Sequence, residues 1–298
     1  MSDTCRLCPR ECNVDRTNHL GYCRSPKDIL LARAALHRFE EPVISGTGGS
    51  GTIFFCGCNL GCVYCQNSAI SHGDLRNTAA RAVSKDELAK IMLRLKNEGA
   101  HNINLVTPTH YSDAIAEVLL NIKEKLGIPV IYNCGGYESV ESLRRLKGLI
   151  DIYMPDFKYF SPELSAKYSA APDYCLRAVD AITEMYDQVE DAETDDKGIM
   201  KKGLLIRHLV LPGGRKDSVK ILKIISQTLP IDKIFISIMR QYTPDFTPDE
   251  FKELKRRLTS FEYDFVLSEA EKMGFYGFSQ DKESATQVYT PNFSLKTF

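Results

Sequence analysis

No stretch of this 298-residue chain comes near the ~20 consecutive apolar residues of a membrane span. Its first residues set Asp3, Arg6, Arg10 and Glu11 among cysteines, which is not the pattern of a secretory leader. An excess of one charge is missing too: 38 Lys and Arg meet 39 Asp and Glu, for a net charge of -1. That balance gives no pull toward nucleic acid or an anionic membrane. Tryptophan is absent, which excludes nothing, and there is no internal repeat. The glycine-rich stretch 42–51 lacks the Lys-Ser/Thr ending of a phosphate-cradling loop and reads as a turn-rich connection.

What the chain has in plenty is cysteine. Ten cysteines without a leader argue against a disulfide framework and for metal binding in a reducing compartment, the cytoplasm. They fall into groups. Cys58, Cys62 and Cys65 have the spacing C-x3-C-x2-C directly after the apolar run Thr52-Ile53-Phe54-Phe55. Three thiolates on one tight loop can hold an iron–sulfur cube by three of its irons and leave the fourth open for substrate. A zinc knuckle is the plainer alternative. Cys5, Cys8, Cys12 and Cys23 form a second set, C-x2-C-x3-C-x10-C, in a segment too poor in apolar residues to fold without a metal. That metal is zinc or an iron–sulfur cluster. Cys134 and Cys175 read as buried structural thiols. Cys56, beside the loop, is ambiguous.

Hydrophobic residues make up 43% of the chain, enough for one large domain or a barrel with a small appendage. From residue 52 strands and helices alternate. Strands are expected at 52–56, 103–107, 130–133, 150–154, 204–211 and 233–238. One helix starts at Ser84 with Glu87 three residues on, a capping box, and buries Leu88, Ile91, Met92 and Leu95. Another carries Ile115, Val118, Leu119, Ile122 and Leu126 on one stripe. Helices are also expected near 139–147, 162–190 and 218–228, an acidic loop at 187–197, and a C-terminal helix opened by Thr247 and Glu250. Six such units predict an α/β fold with a parallel sheet, a partial (β/α)6 barrel with an open side. The organisation expected is a Cys-rich segment and Gly-rich connection over 1–50, a barrel core over 51–245 and a C-terminal helical extension over 246–298.

In such sheets chemistry gathers where strands end. The strand ends carry Thr107, Thr109 and His110, then Asn133, Asp156 and Lys158, Arg207 and His208, and Gln241 with Tyr242. Arg207 and His208 alternate, so only one can face the barrel interior.

The chain resembles the radical S-adenosylmethionine (SAM) superfamily, in the branch of the pyruvate formate-lyase activating enzymes. The segments that carry the likeness are Cys5 to Cys12, Gly57 to Leu60 with Tyr64 before the last loop cysteine, Asn102 to Tyr111, Pro155 to Tyr159 and Arg207 to Gly213. The resemblance implies a radical SAM barrel with a [4Fe–4S] cluster on Cys58, Cys62 and Cys65. It implies that SAM binds the open iron through its amino and carboxylate groups. One electron then splits SAM into methionine and a 5′-deoxyadenosyl radical, which takes hydrogen from a substrate. Many relatives hold the SAM amino group with Gly-Gly-Glu after the second strand. Here Thr107-Pro108-Thr109-His110 stands there, and a neutral His110 could accept from an amine. Asp156-x-Lys158 matches the activating enzymes, with Lys158 for the SAM carboxylate and Asp156 for ribose or amine. Arg207 and His208 are candidates for the methionyl or ribose end, and Tyr64 and Asn133 complete the expected cofactor-binding set. The four N-terminal cysteines depart from the activating enzymes, whose extra clusters follow the loop.

The favoured activity is then installation of a glycyl radical on a partner enzyme, with a reducing flavodoxin or ferredoxin as electron donor. Radical modification of a small molecule or peptide, with an auxiliary cluster on the N-terminal cysteines, is the alternative within the enzyme class. An iron–sulfur electron-transfer protein is the reading of another class.

Overall fold

The structure, a computed structural model, describes residues 4–73, 78–275, 277–279 and 293. Strand β1 (Ile29–His37) precedes helix α1 (Pro42–Ser45) and β2 (Ser50–Phe55). There follow α2 (Ser68–Ser71), β3 (Arg81–Val83), α3 (Lys85–Asn97), β4 (Ile103–Val106), α4 (Ser112–Leu126) and β5 (Val130–Cys134). Next come α5 (Val140–Arg144), β6 (Ile152–Pro155), α6 (Pro162–Ser169), α7 (Tyr174–Val189) and β7 (Glu193–Thr194). The described chain continues through β8 (Met200–Leu209), α8 (Arg215–Thr228), β9 (Phe235–Met239), α9 (Ser260–Lys272) and β10 (Gly277–Ser279).

Six strands, β2, β4, β5, β6, β8 and β9, lie side by side in chain order and all run parallel. This is the expected open barrel. Its edges go further than the six: β10 adds a parallel strand beyond β9, and β1 and β3 add antiparallel strands beyond β2. The Ser84–Glu87 capping box opens α3 with both reciprocal hydrogen bonds formed, and Leu88, Ile91, Met92 and Leu95 are buried.

Side chains alternate along each strand between two environments. Tyr132, Tyr153, Leu204 and Ile206 face the surrounding helices and join the main core. Ile131, Ile152, Met154 and Leu205 face inward and pack on Ile44 of α1. The short α1, with Pro42 in its first turn, therefore plugs the bottom of the barrel. One pleat further up, the inward positions become Asn133, Asp156 and Arg207. The interior changes from apolar to charged within two residues of each strand, and this places the site at the strands' carboxyl ends.

Two expectations need correction. Thr247 and Glu250 do not open a helix. The Thr247 hydroxyl bonds the Tyr242 hydroxyl at 2.9 Å instead of a backbone amide of its own segment, and Tyr242 donates to the Leu254 carbonyl at 2.6 Å. The C-terminal helix begins instead at a second capping box, Thr259 with Glu262. There Arg256 holds Glu262, and the Gly213 amide donates to it. The acidic stretch 187–197 is also not wholly a loop, because α7 runs to Val189 and Glu193–Thr194 pairs with β8. Residues 280–292 and 294–298 of the expected C-terminal extension lie outside the described residues.

Candidate active site at the mouth of the barrel

The turn after β2 brings the cysteine loop over the barrel mouth. Gly57 makes the turn at φ +87°, where a β-carbon would lie 1.9 Å from the Ser25 hydroxyl and 2.5 Å from the Cys23 carbonyl. Only glycine fits there. The loop is then tied down at several points. The Val63 amide donates to the Tyr168 carbonyl at 2.9 Å, and the Gln66 side chain to the Gln241 carbonyl at 3.1 Å. Leu60 is buried against Gly135. Arg10 donates to the carbonyls of Asn59, Ala170 and Ser169 at 2.9, 2.5 and 3.3 Å.

Each loop sulfur has its own hydrogen-bond donor. The Leu60 amide points at Cys58 Sγ (3.4 Å), the Ser169 hydroxyl at Cys62 Sγ (2.9 Å) and the Ser71 hydroxyl at Cys65 Sγ (3.6 Å). Such donors favour sulfur carrying negative charge and tune iron–sulfur centres. Burial, and then the approach of Cys62 and Cys65, pushes the Cys58 thiol up. Thiolates so placed need a cationic centre among them to be stable. The donor set therefore fits a cube.

Cys62 and Cys65 line one wall of a cleft of about 230 Å³. The facing wall is made by strand ends: Val106, Asn133, Asp156, Arg207, Leu209 and Met239, with Lys158 beside them. The charged residues form one network. Lys158 Nζ lies 2.6 Å from Asp156 Oδ2, and Arg207 Nε lies 3.0 Å from Asp156 Oδ1. Arg207 also donates to Asn133 Oδ1 at 2.7 Å and approaches Glu40 at 3.7 Å. Burial alone would raise the Asp156 carboxyl, but Arg207 and Lys158 together hold it below the ordinary range. Burial alone would lower Lys158, and Asp156 and Cys62 overcome it, so the ammonium stays charged. The cleft thus holds a fixed cation close to sulfur.

The remaining expected residues are engaged otherwise. Tyr64 borders the cleft, but its hydroxyl is paired with that of Tyr159 at 2.6 Å. Thr107 adopts φ +58° and turns the chain. Thr109 is buried and donates to Glu138 at 2.8 Å, where burial lifts the carboxyl to about 7. His110 bonds the Cys56 carbonyl through Nε2 (2.7 Å), and burial, with Arg16, pushes its ring down to about 3. That leaves the ring neutral, and it faces the N-terminal cysteines and not the cleft. Of the alternating pair, Arg207 faces in. His208 faces out, held by the Phe157 carbonyl (2.7 Å) and the Ser218 hydroxyl (2.8 Å). It lines a second cavity of about 240 Å³ between β8, α6 and α8, which Lys158 also reaches. Three cleft residues, His37, Phe39 and Glu40, come from the end of β1 and carry no motif that would have marked them.

The Radical SAM superfamily profile matches residues 52–191. An uncharacterized protein of Methanocaldococcus jannaschii is 33% identical over 274 residues, covering 90% of this chain and 74% of that one. The chain belongs to the radical SAM superfamily. The fold agrees. SuiB of Streptococcus suis bound to its precursor peptide SuiA superimposes with a TM-score of 0.53 at 12% identity, over 75% of this chain and 46% of SuiB. A radical SAM methyltransferase from Sphaerobacter thermophilus gives a TM-score of 0.51 at 10% identity, over 78% of this chain and 66% of that enzyme. This chain spans less than half the length of SuiB. As a radical SAM protein it takes a [4Fe–4S] cluster and SAM. Among the described residues no helix is long and apolar enough to cross a membrane.

Proposed function

We propose that this radical SAM enzyme cleaves SAM reductively and abstracts hydrogen from a polypeptide, installing a glycyl radical on a partner enzyme. One observation carries the reading: sulfur donors and a lysine–carboxylate–arginine network face the same cleft. Cys58, Cys62 and Cys65 hold the cube. When bound, the cluster supplies the electron that splits SAM into methionine and a 5′-deoxyadenosyl radical. Lys158 receives the SAM carboxylate, a charge-assisted bond of about 1.5–3 kcal/mol. Asp156 fixes Lys158 and Arg207 in place, and Arg207 orients Asn133 toward the amino or ribose end. Phe54, Val106, Leu209 and Met239 give the cleft apolar walls that exclude water from a reactive intermediate. A reducing flavodoxin or ferredoxin provides the electron. Phe39 is 60% exposed beside the cleft and offers an apolar contact for a polypeptide.

A second reading, modification of a peptide or small molecule, is supported by the shared fold with SuiB, which was captured with its precursor peptide. One experiment separates the two. The reconstituted protein is incubated without oxygen with SAM, dithionite and an unactivated glycyl radical enzyme from the same organism. A doublet organic-radical signal in electron paramagnetic resonance, with matching 5′-deoxyadenosine, is expected. SAM cleavage without that signal moves the assignment to the second reading. No cleavage with a fully loaded cluster contradicts both.

A further inference from the structure

The N-terminal segment has almost no core. Between residues 4 and 24 only Cys8, Arg16 and Cys23 are buried. The chain nevertheless takes a defined path. Thr4 bridges Asp15, the Cys5 amide donates to the Val14 carbonyl at 2.9 Å, and the Asn13 amide returns to the Cys5 carbonyl at 3.0 Å. Glu11 and Asn13 turn with φ of 39° and 52°. This hairpin and the following turn bring Cys5, Cys8, Cys12 and Cys23 to the wall of one small cavity.

Three further observations bear on what the cavity takes. The Tyr22 amide donates to Cys12 Sγ at 3.3 Å, the kind of contact each sulfur of the Cys58 loop also has. His110 lines the same cavity, is 1% exposed, and its Nδ1 is buried with no hydrogen-bond partner among the described residues. A buried polar atom without a partner is rare in a closed interior and marks this wall as incomplete. Finally, among the described residues no three His, Cys, Asp or Glu side chains converge tightly enough to hold one metal ion. A single zinc draws its sulfurs to about 2.3 Å from one centre. A cube spreads them over its corners. The Cys58 loop, whose family takes a cube, likewise shows no convergence on one ion.

We propose that Cys5, Cys8, Cys12 and Cys23 hold a second iron–sulfur cube. It would serve as the core the segment lacks. It would also brace the first cluster, because Arg10 clamps the Cys58 loop, and Cys23 and Ser25 abut Gly57. This inference goes beyond the proposed function and does not rest on it.

Metal and sulfide analysis after anaerobic reconstitution tests it on the unaltered protein. About eight irons and eight sulfides per chain are expected, falling to about four of each when Cys58, Cys62 and Cys65 are all replaced by alanine. Replacing Cys5 and Cys8 by serine should likewise leave about four irons, those of the SAM cluster. About four irons with one zinc in the unaltered protein would overturn the proposal for a single-ion staple, and about four irons with no second metal would overturn it outright. The unaltered protein decides even where a variant fails to fold. Eight irons without SAM cleavage would uphold the second cube and contradict only the proposed activity.

Discussion

Cys62→Ala reduces SAM cleavage to the background of protein-free solution, while Cys175→Ala leaves it within about twofold. Cys62 is the loop cysteine at the centre of the site. It lines the cleft, takes the Ser169 hydroxyl at 2.9 Å and lies near enough to Lys158 to help keep that ammonium charged. Two thiolates would leave the cube free to tilt and a second iron exposed. The open iron would then lose its fixed place against the cation proposed to receive SAM, and positioning of this kind is worth many powers of ten. Cys175 sits half-buried on α7, away from the cleft, and its loss removes one small packing contact. The measurement is 5′-deoxyadenosine formed under dithionite at matched iron content. Full cleavage by the Cys62→Ala protein would remove the loop from its proposed role.

Asp156→Ala destabilises the fold by about 3–5 kcal/mol, because it leaves two buried cations without their shared carboxylate. In a chain of this size that lowers the melting temperature by roughly 10 °C. Lys158 and Arg207 meet on the two oxygens of this one group, at 2.6 and 3.0 Å. Arg207 keeps only Asn133 and the more distant Glu40 when the carboxylate goes. The pH dependence has a definite sign. The folded carboxyl is held below its ordinary value, so its stabilisation is fully present above the unfolded pKa of about 4 and is lost as pH falls through the folded one. The gap in melting temperature between the unaltered and Asp156→Ala proteins should therefore be constant above pH 5 and close on acidification. A gap that widens in acid, or none at neutral pH, would show that the network does not hold the barrel mouth.

The six parallel strands were legible because each is a short apolar run closed by polar residues, and their helices carried clean stripes and a capping box. β1 was not. Its sequence, Ile29-Leu-Leu-Ala-Arg-Ala-Ala-Leu-His37, is rich in alanine, a poor strand former, and a register shift between Leu31 and Arg33 breaks the alternation. Missing β1 also hid His37, Phe39 and Glu40, which reach the cleft only because that strand pairs with β2. The opposite faces of Arg207 and His208 followed from strand period alone. Thr109 and His110 could not be placed this way, since Thr107 turns the chain with a positive φ just after β4 and sends both toward other partners. The Thr247 box failed because Tyr242, five residues before it, takes its hydroxyl.

The account stands on a cysteine loop and a lysine–aspartate–arginine network sharing one cleft. The most direct test is SAM turnover by the unaltered, anaerobically reconstituted protein, with the Lys158→Met variant measured beside it. The unaltered protein should form 5′-deoxyadenosine and methionine in equal amounts. Lys158→Met should keep its iron and bind SAM about ten- to a hundredfold more weakly, the loss of one charge-assisted bond. No 5′-deoxyadenosine from the unaltered protein, or unchanged SAM affinity in the variant, would contradict the account.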